Sequence, residues 1–485
     1  MALEADTVRK ASEVDGKHLF GRTCIKLDLD VIDRSNILEA LGKVLAVHDK
    51  NASEIEYLWK YYCGDQPILN RIKTVRPEIN NKPVVNVANE IVEFKVGYQV
   101  GEPVLYVSKS NNADAMENII KLNEFMFSQE KAEQDQEIVE WQMVAGTAYR
   151  MVLTNNDQED EEDSPFKLYT LDPRDTFVAY STGLGNEPIL AGTRYKKNGQ
   201  TEWALYTNTD FYIIRDKKVL KSEPHAYWMI PIFEYPANRA RLGAFEIVLP
   251  LTDMLNNVAA NRMDGLEQMI QAFIKFINCE IDEKQFKALK ELGAIKVKSV
   301  QGQNADVDVV KTEVNQDQTQ TLVNDIYQRI LTICGMPNRN GGTSTSDTGN
   351  AVIFRDGWET AESRAKSFEH IFKKSEKKML RMVLRILKEL SGITLRVADI
   401  DMKFTRRNYE NIQSKSQVLT TMLANPKIHP KLAFEHCGMF SDPESAYKES
   451  DKYYKEVQEQ LEPQNDPDDN PDKQKGGGGT GGDGE

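Results

Sequence analysis

Cysteine is scarce and scattered in this 485-residue chain. Cys24, Cys63, Cys279, Cys334 and Cys437 form no Cys-x-x-Cys pair, which argues against a zinc ribbon or a disulfide framework. Histidine is sparse too. Only His429 and His436 lie near each other, and Pro430 between them breaks any helix that would align them. A packing role is therefore preferred for both, and no metal or cofactor is expected. No run approaches the roughly 18 apolar residues of a membrane span. The Met-Ala-Leu-Glu-Ala-Asp start lacks a basic and then apolar leader, so neither secretion nor a membrane is expected. Nucleophile elbows, Walker loops and His-Glu-x-x-His are missing, and Lys475 with its glycines lacks the Gly-Lys-Ser/Thr order of a phosphate loop. A non-enzymatic protein is the expectation. Positive charge is also short, with 61 Lys+Arg against 75 Asp+Glu and a formal charge of −14. Proteins that grip nucleic acid normally show a basic footprint, so any role with DNA would be passage rather than tight holding.

What is present is a long series of well-marked segments in a mixed α+β, mainly helical pattern. Residues 1–32 read as an adaptable arm. Helical spacing starts at Ile37, Leu38, Leu41, Val44 and Leu45, and a second helix is expected to open at Ser53, with Glu56 at the capping-box position. One or two helices follow over 112–146, then a hairpin of Ala148–Leu153 and Phe166–Leu171 around the acidic run 157–163. Residues 166–236 are β-rich. A helix is expected over about 248–275, then a compact α/β insertion with a helix from Asp282 to Gly293 and strands over Ala294–Val300 and Val307–Val314. A second helix over 316–334 closes at Gly335 and Pro337. Two long helices bracketing a small α/β unit make a hairpin with a tip.

The polar, glycine-rich stretch 337–347 is expected to be a loop. It leads into a long amphipathic helix over about 349–391, whose buried stripe includes Phe368, Phe372, Met379 and Val383 and whose other face is basic. A strand over Met402–Thr405 and three short helices to about 461 complete the folded part. The Asp-, Asn-, Pro- and Gly-rich tail from 462 to 485 has no core-forming residues and is expected to be disordered.

The order of these segments resembles the portal proteins of long-tailed (siphovirus-type) phages. Tyr61-Tyr62-Cys63-Gly64 with Ile68, Leu69 and Arg71 is similar to the family's opening pattern. Asn86–Val92 followed by Lys95–Val104 is the most specific match, a helix ending in a glycine-aromatic turn at Gly97-Tyr98, then Gly-x-Pro and a strand. Gly146-Thr147-Ala148-Tyr149, Leu171-Asp172-Pro173, Ile230–Tyr235, Phe245–Leu251 and Ile333–Pro337 continue it in order.

The resemblance implies a wing (33–247 and 351–407), stem helices (248–275 and 316–335), a clip (276–315), a tunnel loop (336–350) and a helical crown (408–461). It further implies a dodecameric ring at one capsid vertex of the virion, assembled in the host cytoplasm. Double-stranded DNA would pass through it during packaging and ejection. Partners would be the major capsid and scaffolding proteins, the terminase large subunit and the head-completion or adaptor proteins. Asn338, Arg339, Asn340, Gly341, Gly342, Thr343, Ser344, Thr345 and Ser346 are the candidate DNA-facing residues, and Lys296 and Lys298 the candidate clip contacts. The alternatives are another head-tail connector or adaptor ring, or a DNA-processing enzyme.

Overall fold

In the computed structural model, helix α1 (Ile37–Tyr62) is continuous through Ser53, where a second helix was expected to open. The polar residues at the expected break are used sideways instead. Asn51 is buried, accepts a hydrogen bond from Thr23 N at 2.9 Å and donates to Thr23 O at 2.8 Å. Glu56 pairs with Arg174 at 2.7 Å rather than turning back on the helix. The structure describes residues 19, 21–29, 31–109, 113–155, 163–270, 273–277, 279–280, 298–299, 306–310, 316–337, 357–406, 412–440 and 443–461. They divide into two compact units, one up to Asn408 and one from Tyr409.

Part of the expected arm is built into the first unit. Strand β1 (Lys26–Leu27) pairs in parallel with β5 (Thr176–Ser181), and the buried Arg22 guanidinium meets Glu54 and Glu246, each at 2.9 Å. A six-stranded sheet runs β1-β5-β6-β7-β8-β9, with β6 Pro188–Lys197, β7 Gln200–Tyr206, β8 Asp210–Arg215 and β9 Lys218–Pro224. Its period-two alternation sorts the faces. Phe177, Ala179, Leu190 and Leu205 pack on Ile37, Leu41 and Val44 of α1. Val178, Ala191, Ala204 and Tyr206 pack on Tyr149, Met151 and Ile232 of a second, three-stranded sheet. That sheet has the order β10-β3-β4 (Ile232–Pro236, Thr147–Thr154, Phe166–Leu171).

Helices α2 (Val87–Val100), α3 (Ala113–Ser128) and α4 (Lys131–Ala145) enter the largest core. Gly97 and Tyr98 lie inside α2, not in the expected turn; the helix stops at Gly101, before strand β2 (Leu105–Ser108). Gly146 (φ +79°) is obligatory where α4 hands over to β3, because a Cβ there would stand 2.0 Å from Arg241 O. Helix α5 (Leu249–Ile270) ends earlier than its apolar stripe implies. Phe273–Ile277 is instead strand β11, antiparallel to β14 (Asp306–Val310); the short pair β12 (Cys279–Glu280) and β13 (Lys298–Ser299) lies between them in sequence. Cross-strand pairing has overridden helical spacing there. The expected helix from Asp282 to Gly293 lies outside the described residues.

Helix α6 (Gln316–Cys334) packs along α5. Helix α7 spans Trp358–Leu390, and the expected helix over 349–391 is interrupted at Gly357, which adopts φ +81°, outside the α-helical range; 349–356 lie outside the described residues. Strand β15 (Ile400–Lys403) pairs with β2, with Ile400 and Met402 buried and the intervening residue half-exposed. In the second unit, α8 (Ile412–Leu423), α9 (Pro430–Cys437) and α10 (Pro443–Leu461) gather around Ala433, Phe434 and Cys437. Phe434 stacks on Phe440 at 5.1 Å.

A closed set of charges sits in the core of the first unit. Glu376 of α7 meets Lys131 at 3.1 Å and Arg150 at 3.5 Å; Asp135 meets Lys131 at 2.5 Å and Arg150 at 2.7 Å. Tyr106 and Tyr235 donate to Glu376 at 2.5 and 2.6 Å. Burial opposes ionisation of Glu376, but Lys131, Arg150 and the two hydroxyls outweigh it and hold the carboxyl at about 2. Removing one partner would leave buried charge uncompensated. Glu376→Gln should lower unfolding stability by about 3–5 kcal/mol, read as a fall in thermal midpoint. Glu389→Gln, on the exposed end of the same helix, should change it by less than about 1 kcal/mol.

Candidate functional site

The hairpin of α5 and α6 is held to the body by polar contacts along its length. Asn256, fully buried on α5, donates to Gln66 at 2.6 Å and accepts from Val85 N at 2.7 Å. Just over two turns beyond, Asp264 gathers Asn81 N at 2.8 Å, Lys73 at 2.9 Å and Arg71 at 3.0 Å. Burial raises the Asp264 carboxyl, yet these donors together keep it below its ordinary value. Nearer the root, Tyr61 donates to Asp253 at 2.9 Å, and burial, only partly opposed by that bond, pushes Asp253 up to about 6. Arg262, which interrupts the apolar stripe of α5, bonds to Gln320 of α6 at 2.6 Å. The interruption ties the two helices together.

The hairpin keeps apolar side chains exposed in the isolated chain. Met254, Met263 and Leu266 of α5 and Leu322 and Ile333 of α6 are all at least two-fifths accessible. At 1.5 Å per residue, α5 is about 33 Å long and α6 about 28 Å. No described helix is long and apolar enough to cross a membrane.

The C-terminus of α6 opens the segment that holds the candidate loop. Two cations meet its last carbonyls: Lys95 donates to Cys334 O at 2.9 Å and Arg364 to Ile333 O at 2.8 Å. Positive charge there answers both the unpaired carbonyls and the helix dipole. Lys95 is held below the usual lysine range, chiefly by burial. Tyr327 of α6 donates to Glu90 of α2 at 2.8 Å. One and two turns along α2, Phe94 and Tyr98 face Trp358 at 6.0 and 5.9 Å. The far end of the segment returns to the near end, since a Cβ at Gly357 would lie 3.9 Å from Met336 O.

Of the expected site residues, Asn338, Arg339, Asn340, Gly341, Gly342, Thr343, Ser344, Thr345 and Ser346 lie outside the described residues, as does Lys296. Lys298 stands on β13, in register with Glu280. Lys95, Glu90 and Arg364 were not anticipated. The i, i+4, i+8 spacing of Glu90, Phe94 and Tyr98 is the one signal that marks this face. Among the histidines, His429 accepts from Lys431 N and caps α9, and Pro430 occupies its first turn. The described residues contain no group of three or more His, Cys, Asp or Glu arranged to hold a metal.

The hairpin of α5 and α6, with the strand pairs that lie between its helices in sequence, is rooted in a mixed α/β body. A family model described as phage portal protein, SPP1 Gp6-like, matches residues 41–464, and the chain belongs to that family. Two solved structures are similar at 11% identity. One, titled "Neck of empty GTA particle computed with C6 symmetry", covers 73% of this chain and 90% of its own at a TM-score of 0.44. The other, "Virion of native gene transfer agent (GTA) particle", covers 80% and 94% at 0.45. No curated protein sequence matches.

Gly335 tests the loop root. It holds φ +66°, and a Cβ would stand 2.3 Å from the Arg364 side chain. Gly335→Ala should destabilise by about 1–2 kcal/mol through the left-handed backbone alone, visible as a lowered thermal midpoint. Gly42→Ala, with open space around it inside α1, should be neutral or stabilising.

Proposed function

We propose that the chain is the repeating subunit of a portal ring, a dodecamer at one capsid vertex of the virion, through which double-stranded DNA is packaged and ejected. The family match over residues 41–464 carries this reading. The hairpin of α5 and α6 would be the stem lining the channel, 276–315 the clip and 408–461 the crown. The apolar side chains left exposed along the hairpin support ring formation. Burying a fully exposed side chain of this kind gains about 1.5–3 kcal/mol, and these, already more than half buried, would each gain roughly half of that, so a row of them against a neighbouring copy adds up to a stable contact.

On the same reading, the clip with Lys296 and Lys298 meets the terminase large subunit during packaging and head-completion or adaptor proteins afterwards. Outer surfaces meet the major capsid and scaffolding proteins, after assembly in the host cytoplasm. The loop 336–350, with Asn338, Arg339, Asn340 and the Gly341–Ser346 run, would form the constriction. Lys95 and Arg364, which meet the last carbonyls of α6, and the Phe94, Tyr98 and Trp358 group then act as its fixed root. The role is structural and needs no covalent chemistry. The net charge of −14 suits a conduit that must let a polyanion slide.

Electron microscopy with native mass measurement of the purified protein should show rings of about a dozen copies around a central hole; a persistent monomer under assembly conditions sinks the proposal. Replacing Gly341 to Ser346 with a rigid segment should abolish DNA packaging while leaving rings intact. Unchanged packaging would remove the loop from the mechanism.

A further inference from the structure

The outward face of α7 carries His370, Lys373, Lys374, Lys377, Lys378 and Arg381 around an open depression of about 350 Å³. Their spacing places them in one stripe that rises about 16 Å along the helix. Exposed cations on either side of it are paired within the helix, Lys366 with Glu362 at 3.6 Å and Arg385 with Glu389 at 3.1 Å. Inside the stripe the pattern changes. Among the described residues, Lys374, Lys377, Lys378 and Arg381 have no carboxylate within ion-pair distance. Lys373 has only a 3.9 Å approach to Asp401 and rests over the Phe404 ring.

The acids this stretch of helix does carry face elsewhere. Glu369 is held by Arg406, and Glu376 is buried in the charge cluster of the core. Neighbouring like charges one turn apart, such as Lys373 with Lys377, Lys374 with Lys378 and Lys377 with Arg381, weaken a helix. The sequence nevertheless concentrates them on the solvent side of a chain whose total charge is −14. A one-sign field without internal counter-charge is what a polyanion neutralises. Lysine dominates the stripe, and a mobile point charge suits phosphate oxygens regardless of base sequence. Bidentate recognition of carboxylates would favour arginine.

We propose that this face of α7 binds the phosphate backbone of double-stranded DNA without base specificity. The contact is distinct from passage through a channel, because it holds the duplex rather than letting it slide. It therefore goes beyond the portal reading and does not depend on it.

The test uses the full-length protein and a fluorescently labelled duplex of arbitrary sequence, with anisotropy followed over about 50–200 mM salt. The wild type should bind two unrelated sequences equally, and affinity should fall steeply with salt. Neutralising the stripe (K373Q, K374Q, K377Q, K378Q and R381Q together) should weaken binding at least ~10-fold and make the salt slope shallower by about 3–5. The pair K374Q and K378Q should give an intermediate loss, which guards against misfolding of the fivefold variant. Neutralising Lys43 and Lys121, exposed lysines paired within their own helices, should change nothing. Wild-type affinity in both stripe variants overturns the inference. So does loss of self-association with unchanged DNA binding, which would assign the stripe to the acidic surface of a neighbouring copy. Native mass on the same samples separates the two proposals, since rings that do not need the stripe for DNA leave the portal reading standing.

Discussion

Charge placed in a low-dielectric interior must be neutralised completely, and the first unit depends on that constraint at one point. Lys131, Asp135, Arg150 and Glu376 form a balanced set contributed by α4, β3 and α7, with hydroxyls from β2 and β10 completing the shell of Glu376. A hydrophobic seam would tolerate small rotations of α7. This set does not, because any rotation separates a carboxylate from two cations and two donors. Fixing Glu376 inward fixes the rest of the helix by its 3.6-residue period. Phe372, Met379 and Val383 are then buried, the lysine stripe faces outward, and Trp358 at the start of α7 meets Phe94 and Tyr98.

Much of this architecture was legible in the sequence where one signal acted alone. Helix α6 has a clean apolar stripe and a Gly-x-Pro stop, and its ends fall where those signals put them. The β3–β4 hairpin reads from clustered bulky residues around a charged tip. Errors arose where a distant partner outbid a local signal. Ser53 with Glu56 three residues on looks like a helix start, but Glu56 pairs with Arg174, neighbouring Asn51 bonds to Thr23, and the helix runs on. Phe273 fits the stripe of α5, yet its strand partner Val310 claims it. Gly97 looks like a turn, but α2 continues so that Tyr98 reaches Trp358. None of these pairings is visible within a short window of sequence.

The site was less legible than the fold. Periodicity finds a hairpin and composition finds a loop, because each is a property of contiguous residues. Lys95 and Arg364 escape both, since they act on carbonyls at the end of a helix that is remote from them in sequence. The core charges escape for the same reason. Asp135, Arg150 and Glu376 look like ordinary members of polar helix and strand faces, and only the fold shows that they share one buried space. The basic face of α7 was plain from the sequence. Its lack of internal acid partners became visible only when Glu369 and Glu376 were seen to be engaged elsewhere.

The meeting of Met336 with Gly357 separates architecture from calibre. Because the body brings the two ends together, the chain between them has no structural distance to span. For a flexible loop, doubling its length then costs only about 0.6 kcal/mol in closure entropy. Insertions and deletions in that segment can accumulate with little effect on the stability of either helix it joins. If the segment forms the constriction of the proposed ring, a lineage can therefore retune its width and stickiness on one frame, much as a single lens mount accepts different apertures.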